Sequence, residues 1–371
     1  MVLVVIHIKI SFWYLYQKAL DQLSKLLYNY IMTTPKFGFC CKWLNDSSEF
    51  GGMKVNAKDR DLNGRSTTMR WLREHKDEAE QRQWDIMNHN ARAAQLMIER
   101  VATMPPERRM VRLGSEMLQG YTEPSWIDWW QRREIQDHCE KIFAPVGETA
   151  RRLGVRLSFH PGQFCVLASE ADEIVERSIL EFEYHADMAR WMGYGATWHD
   201  HGFKINVHLS GKGGAEKFLR TLKKLSPEAR NLITIENDEM TNGLDSTLLV
   251  AEHVALVLDV HHHWINSGQY IDPADARVQR IIESWRGVRP VLHYSVSRED
   301  ILVGHDRSIR PDLTQLLDRG FKKQKLRAHS DMMWNTACND WVLGFSEQFD
   351  IQCEAKGKNL ASEQLYDQYC A

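Results

Sequence analysis

Three histidines and three carboxylates in this chain share one local setting, the end of a short apolar run. Val155-Arg-Leu-Ser-Phe runs into His160, Lys204-Ile-Asn-Val into His208, and Leu232-Ile-Thr-Ile into Glu236. Val257-Leu runs into Asp259, Pro290-Val-Leu into His293, and Asp350-Ile-Gln-Cys into Glu354. Imidazole nitrogens beside carboxylate oxygens form a donor set for divalent cations. Carboxylates brought together repel one another unless protons or cations neutralise them. Any one of these residues taken alone is an ordinary strand-end hydrogen-bonding group or a helix N-cap. The whole series, each after an apolar run, points to a shared metal site. Asp259-Val-His-His-His263 adds an imidazole within one tight turn, although spacing does not say which histidine turns inward.

With nitrogen and oxygen donors and several carboxylates, the expected ions are Mn²⁺, Zn²⁺ or Mg²⁺, about two or three per chain. Glu236, Asp259 and Glu354 are the candidate catalytic carboxylates, and Glu236 suits a bridging position. Such clusters serve phosphodiester hydrolysis by supplying hydroxide and stabilising the pentavalent phosphate and leaving alkoxide. No serine triad or activated cysteine competes. The seven cysteines form no C-x-x-C pair, which argues against a thiolate zinc site, and their scatter fits a reducing cytosol.

These residues lie far apart in sequence, so the fold must gather them. Short apolar runs at 36–40, 110–114, 155–159, 204–207, 232–235, 255–258, 290–292 and 349–353 alternate with helical stretches at 81–102, 132–153, 173–192, 214–224 and 274–285. Eight alternations in one uninterrupted chain predict an α/β fold, a single (β/α)8 TIM barrel. All strand C-termini then share one face, where the donors converge. The domain is expected over 32–371 and suits the length of 371 residues.

Residues 1–31 are expected to be an extension outside the fold, with Met32 an alternative start. The apolar run Met1–Ile10 contains His7 and Lys9 and falls short of the ~20 apolar residues of a membrane span. Hydrophobic residues at 43% and charged ones at 26% are ordinary for a soluble protein. A net charge of -3 argues against coating nucleic acid non-specifically, but leaves room for local basic loops beside an acidic metal pocket. A cytoplasmic, unsecreted monomer that needs no protein partner is expected.

The strand ends carry longer motifs: Ser158-Phe-His-Pro-Gly-Gln-Phe164, Val207-His-Leu-Ser-Gly211, Ile235-Glu-Asn-Asp-Glu239, Leu258-Asp-Val-His-His-His263, Leu292-His-Tyr-Ser295, Ala328-His-Ser330 and Cys353-Glu-Ala-Lys-Gly-Lys358. In identity, order and spacing the chain resembles the UV damage endonuclease family, similar in fold and metal scheme to the endonuclease IV group. The resemblance implies metal ligands at His160, His208, Glu236, Asp259, His262, His293, His329 and Glu354, choosing His262 by a D-x-x-H pattern. It implies Mn²⁺ chemistry on damaged double-stranded DNA, nicked on the 5′ side of a photoproduct or similar distortion. Gln163 and Phe164 are then the residues that probe damaged bases, filling the gap left when lesion nucleotides leave the stack. Lys212, Lys217, Lys322, Lys323, Lys325, Arg327, Lys356 and Lys358 are candidate phosphate contacts.

The sequence also departs from that pattern. Phe39 and Trp43 are the candidate lesion contacts of the first strand, and they stand where relatives can show Tyr and Asn at lesion-contacting positions. A family histidine after the second strand is absent, with Glu123 its nearest substitute, and Val291 stands where relatives can carry a carboxylated Lys. Residues 45–65 form a long first loop, and Trp126, Trp129 and Trp130 suit helix packing more than base stacking. Alternative activities on the same architecture are abasic-site cleavage of the endonuclease IV type, a metal-dependent sugar isomerase, and a non-catalytic binder of distorted DNA.

Overall fold

In the computed structural model, residues 34–45 and 57–371 are described. The expected extension at 1–31 and most of the expected first loop lie outside them. Among the described residues, the strands are β1 Phe37–Cys40, β2 Met110–Arg112, β3 Arg156–Phe159, β4 Lys204–His208, β5 Ile233–Glu236, β6 Ala255–Asp259, β7 Val291–Tyr294 and β8 Asp350–Cys353. All pair in parallel with their sequence neighbours, and β8 pairs with β1 to close the barrel. The principal helices are α1 Lys76–Ala102, α2 Arg133–Leu153, α3 Asp172–Trp191, α4 Gly214–Leu222, α5 Val260–Ser267, α6 Ala276–Ser284 and α7 Lys358–Cys370. No helix among the described residues is long and apolar enough to cross a membrane.

Local sequence explains these elements. In α1, Ile86, Met87, Asn90, Ala94, Met97, Ile98 and Val101 recur at helical spacing and are buried, while Asp77 and Glu78 sit where the N-terminal dipole favours them. Helix α2 stops at Gly154, whose φ of 65° is left-handed, and the chain turns directly into β3. Inside α2, a Cβ on Gly147 would meet the Met192 carbonyl oxygen at 1.8 Å, so only glycine permits this approach of α2 to the end of α3. Trp129 and Trp130 are buried and pack edge to face, leaving no faces for DNA.

Side chains alternate across each strand. Outward residues such as Phe37, Phe39, Ile205, Val207 and Ile351 join the core between sheet and helices. The inward set is unusually polar: Arg156, Ser158, Lys204, Asn206, Thr234, Asp350 and Gln352 are all buried. Barrel interiors are normally filled by Val, Ile and Leu. Here Ala255, Val257, Val291 and Trp285 form a separate small apolar cluster, and the polar groups must find partners. Asp350 supplies one solution. Its carboxylate accepts from Arg156 Nη1 at 2.7 Å, Arg289 Nε at 2.9 Å and the backbone N–H of Lys36 at 2.9 Å, linking β8 to β3 and to the start of β1.

Candidate metal centre

Parallel closure brings the strand C-termini to one mouth, and the register aligns His208 with Glu236 and Asp259 with His293. Glu236, with no exposed side-chain surface, is the hub. One of its oxygens, Oε2, lies 3.0 Å from His293 Nδ1, 3.5 Å from His160 Nε2 and 3.9 Å from His208 Nε2; the other, Oε1, lies 3.2 Å from His262 Nδ1. Asn206, two residues before His208 and hence on the same strand face, donates to Oε2 and is itself held by Thr234. Glu354 approaches from β8, 3.2 Å from His293 Nδ1, and is paired with Arg112 at the end of β2.

Asp259 has two tasks. Its Oδ1 caps α5 by accepting from the backbone N–H of His262 at 2.7 Å, and this three-residue offset carries the His262 ring back to within 3.7 Å of Oδ2. The amide of Asn237 accepts from Asp259 N and donates to Asp259 O, both at 2.9 Å, fixing the strand end. The other two histidines turn elsewhere: His261 stacks with Trp264, and His263 reaches Ser267.

The structure places His160, His208, Glu236, Asp259, His262, His293 and Glu354 together, in overlapping groups whose donor atoms lie within 4.8 Å. His329 stands at their margin, in none of those groups. Its Nδ1 bonds the Glu354 carbonyl at 2.7 Å, and its ring lies 6.4 Å from that of His262. Glu239, to which the sequence reading gave no role, joins His208 and His262 in one group, 3.8 Å from His262 Nε2. Glu123 is in none of the groups, and the residue that β2 contributes is Arg112.

Proton distribution follows from this crowding. Burial works to raise Glu236, yet His293, His208, His160 and His262 hold it well below the usual carboxylate range. Burial, reinforced by Glu236 and Glu354, pushes Asp259 well above that range. Burial would lower His262, but Asp259 and Glu236 outweigh it and raise the ring well above an ordinary histidine. Burial pulls His160 down to about 4, leaving a neutral imidazole at physiological pH. Lys204, whose Nζ lies 3.0 Å from His293 Nε2, is lowered by burial to about 7 against the pull of Glu236.

These residues fit a divalent cation. Glu236 Oε1, Asp259 Oδ2 and His293 Nδ1 are buried without a hydrogen-bond partner among the described residues, and such orphaned atoms are costly unless something neutralises them. All are oxygen or imidazole donors, suited to Mn²⁺, Zn²⁺ or Mg²⁺.

The expected DNA-facing residues divide. Gln163 is exposed and Phe164 is 85% exposed, on a turn whose ends are anchored by buried Pro161 and Cys165. Lys212 and Lys356 are exposed, while Lys358 is half-buried at the start of α7. Phe39 is a correction. Its ring is 1% exposed because strand alternation turns it outward, under the helices, where it packs edge-on against Trp43. Trp43 is half-buried with the Arg100 guanidinium 5.2 Å from its ring centre, which commits that face to packing.

A model of the family described as UV-endonuclease UvdE matches residues 38–370. The chain is 30% identical over 216 residues to the UV-damage endonuclease of Neurospora crassa, covering 54% of this chain and 32% of that protein, so the match spans about a third of that relative's length. It is 26% identical over 254 residues to the UV DNA damage endonuclease of Bacillus cereus, covering 64% of this chain and 71% of that one. The crystal structure of SacUVDE aligns with a TM-score of 0.64 at 22% identity, over 82% of this chain and 91% of that chain, which supports the fold. Because that family model spans residues 38–370, the whole barrel from β1 to the closing helix, the chain belongs to the UV-endonuclease UvdE family.

Proposed function

We propose that this chain is a metal-dependent DNA repair endonuclease that nicks the damaged strand on the 5′ side of UV photoproducts or similar distortions. The observation that carries the reading is the convergence of imidazoles and carboxylates around the buried Glu236. His160, His208, Glu236, Asp259, His262, His293, His329 and Glu354, with Glu239 added, are the donors from which the ions draw their ligands, and Mn²⁺ is the favoured ion. Bound there, divalent ions supply a nucleophile and positive charge for phosphodiester hydrolysis. The chain's own residues do the rest. Asn206 orients the Glu236 carboxylate, Asn237 pins the backbone of Asp259, and a neutral His160 offers a lone pair without first losing a proton. Lys212, Lys356 and Lys358 hold phosphates.

Lesion recognition falls to Gln163 and Phe164. A solvent-exposed phenylalanine beside an amide, on a turn anchored at both ends, is suited to enter a duplex already weakened by damage. The test offers the protein, with Mn²⁺, duplexes carrying either a cyclobutane dimer or an abasic analogue. Nicking 5′ to the dimer is expected, and it is expected to stop on chelation. Cleavage of abasic DNA with dimers untouched would assign the chain to abasic-site repair instead. In the same assay, Gln163→Ala is expected to lower the preference for damaged over intact duplex about tenfold, the loss of one base-directed contact. An unchanged ratio at fixed salt removes Gln163 from recognition.

A further inference from the structure

The end of the barrel opposite the metal donors holds a cavity of about 450 Å³. Strand starts build its walls: Lys36 stands just before β1, Arg156 opens β3, Arg289 precedes β7 and Asp350 opens β8. Arg151, in the last turn of α2, and His199, ahead of β4, line it as well.

The charges there do not balance. Four cations, Lys36, Arg151, Arg156 and Arg289, face two carboxylates, Asp200 and Asp350. Asp350 is shared between Arg156 and Arg289, and Asp200 accepts from the backbone N–H of Gly195 at 3.0 Å. Arg156 Nε donates to the Gly202 carbonyl at 2.8 Å, Arg151 Nη1 to that of Met192 at 2.7 Å and Lys36 Nζ to that of Pro106 at 3.0 Å. Carbonyls satisfy these donors but cancel none of their charge. Burial holds Lys36 below an ordinary lysine, and Arg156 and Arg109 add to the effect against the pull of Asp350. A network serving stability alone would match its signs, since like charges repel at such range.

Two atoms buried in the cavity wall also lack a hydrogen-bond partner among the described residues. They are Arg156 Nη2, on a side chain 7% exposed, and Nε2 of the fully buried His199. Both residues pack against Trp285, with the Arg156 Cζ 5.5 Å and the His199 ring centre 5.0 Å from its ring centre. Burial lowers His199 to about 3, so the ring is neutral at physiological pH. Its Nδ1 donates to the Phe203 carbonyl at 2.9 Å, which leaves Nε2 as an acceptor. An excess of cations beside a proton acceptor suits an anion that still carries a hydroxyl. Phosphate near neutral pH is such an anion; sulfate has no proton to give.

The geometry points to this cavity as a second binding site, for hydrogen phosphate, free or as the end group of a small phosphomonoester. The volume falls in the range of about 300–1,000 Å³ typical of small-molecule pockets, which leaves room for an organic remainder. The site is separate from the metal centre and does not depend on the nuclease reading.

The test is isothermal titration calorimetry of the full-length protein with potassium phosphate, glycerol phosphate and sulfate at pH 7 and fixed ionic strength. One phosphate group per chain is expected to bind, more tightly than sulfate. Tighter binding of the free ion or of the ester says which form of the group the cavity takes. Arg156→Gln and Lys36→Met are each expected to weaken binding about tenfold or more, the loss of one charge-assisted contact. Glu236→Gln, altered at the other end of the barrel, is expected to bind as the wild type does. Circular dichroism checks folding. If Arg156→Gln does not fold, Lys36→Met decides, because it keeps the backbone N–H that bonds Asp350. No binding by the wild type, equal binding of sulfate, or a loss in Glu236→Gln but not in Lys36→Met would overturn the proposal.

Discussion

Glu236→Gln is expected to leave binding of damaged duplex nearly intact while slowing nicking at least ~10²-fold, more than the loss typical of an outer-shell partner. Four imidazoles gather around this one buried carboxylate, so removing its charge removes the anion on which the cation site is built. The glutamine oxygen can still accept from Asn206 at the Oε2 position, but its amide hydrogens then take the Oε1 position, facing His262 and any ion held there. Gel assays of nicking across a Mn²⁺ titration, with binding followed by fluorescence anisotropy, separate the two effects. Wild-type nicking by the variant would take Glu236 out of the chemistry.

Asp350→Ala is expected to cost about 3–5 kcal/mol of stability, the range for removing one partner of a buried ion pair. The Asp350 side chain is 2% exposed, and its loss strands the Arg156 guanidinium, itself 7% exposed, inside the barrel. The backbone N–H of Lys36 loses its acceptor as well. Chemical denaturation of wild type and variant gives the difference directly, and a loss below about 1 kcal/mol would show that the ion pair does not hold the barrel together. Because Asp350 opens β8 at one end of the barrel and Glu236 closes β5 at the other, the two variants separate stability from chemistry.

The fold was legible because the barrel repeats one simple unit. An apolar run closed by a polar residue marks a strand and its C-terminal end, and every expected strand lies within a residue or two of an observed one. The gathering of His160, His208, Glu236, Asp259, His293 and Glu354 was legible for the same reason. Arg112, Lys204 and Asn206 were not singled out, because they lie inside strands and look like interruptions of an apolar run. A signal was present: in Lys204-Ile-Asn-Val-His208 the polar residues alternate with apolar ones up to the candidate ligand, which for a strand buried on both faces marks a polar interior. Glu239 stands in a loop, where carboxylates are common and spacing carries little information. Phe39 was assigned to the wrong face because a position matched by resemblance carries no strand parity. The inward neighbours Gly38 and Cys40 show that the odd residues of β1 face the helices.

The join between β1 and β8 also governs how the molecule is made. The strand pairing Phe37 with Ile351, and the bond from Lys36 N to Asp350, connect residues more than three hundred positions apart. A ribosome must therefore release nearly the whole chain before the first strand finds its second neighbour. Until then β1 remains an unpaired sheet edge, prone to stray association, and contacts this distant in sequence form slowly. Synthesis in cells is thus expected to depend on chaperones that shield the half-built sheet, and C-terminal truncations ending before β8 are expected to accumulate as aggregates.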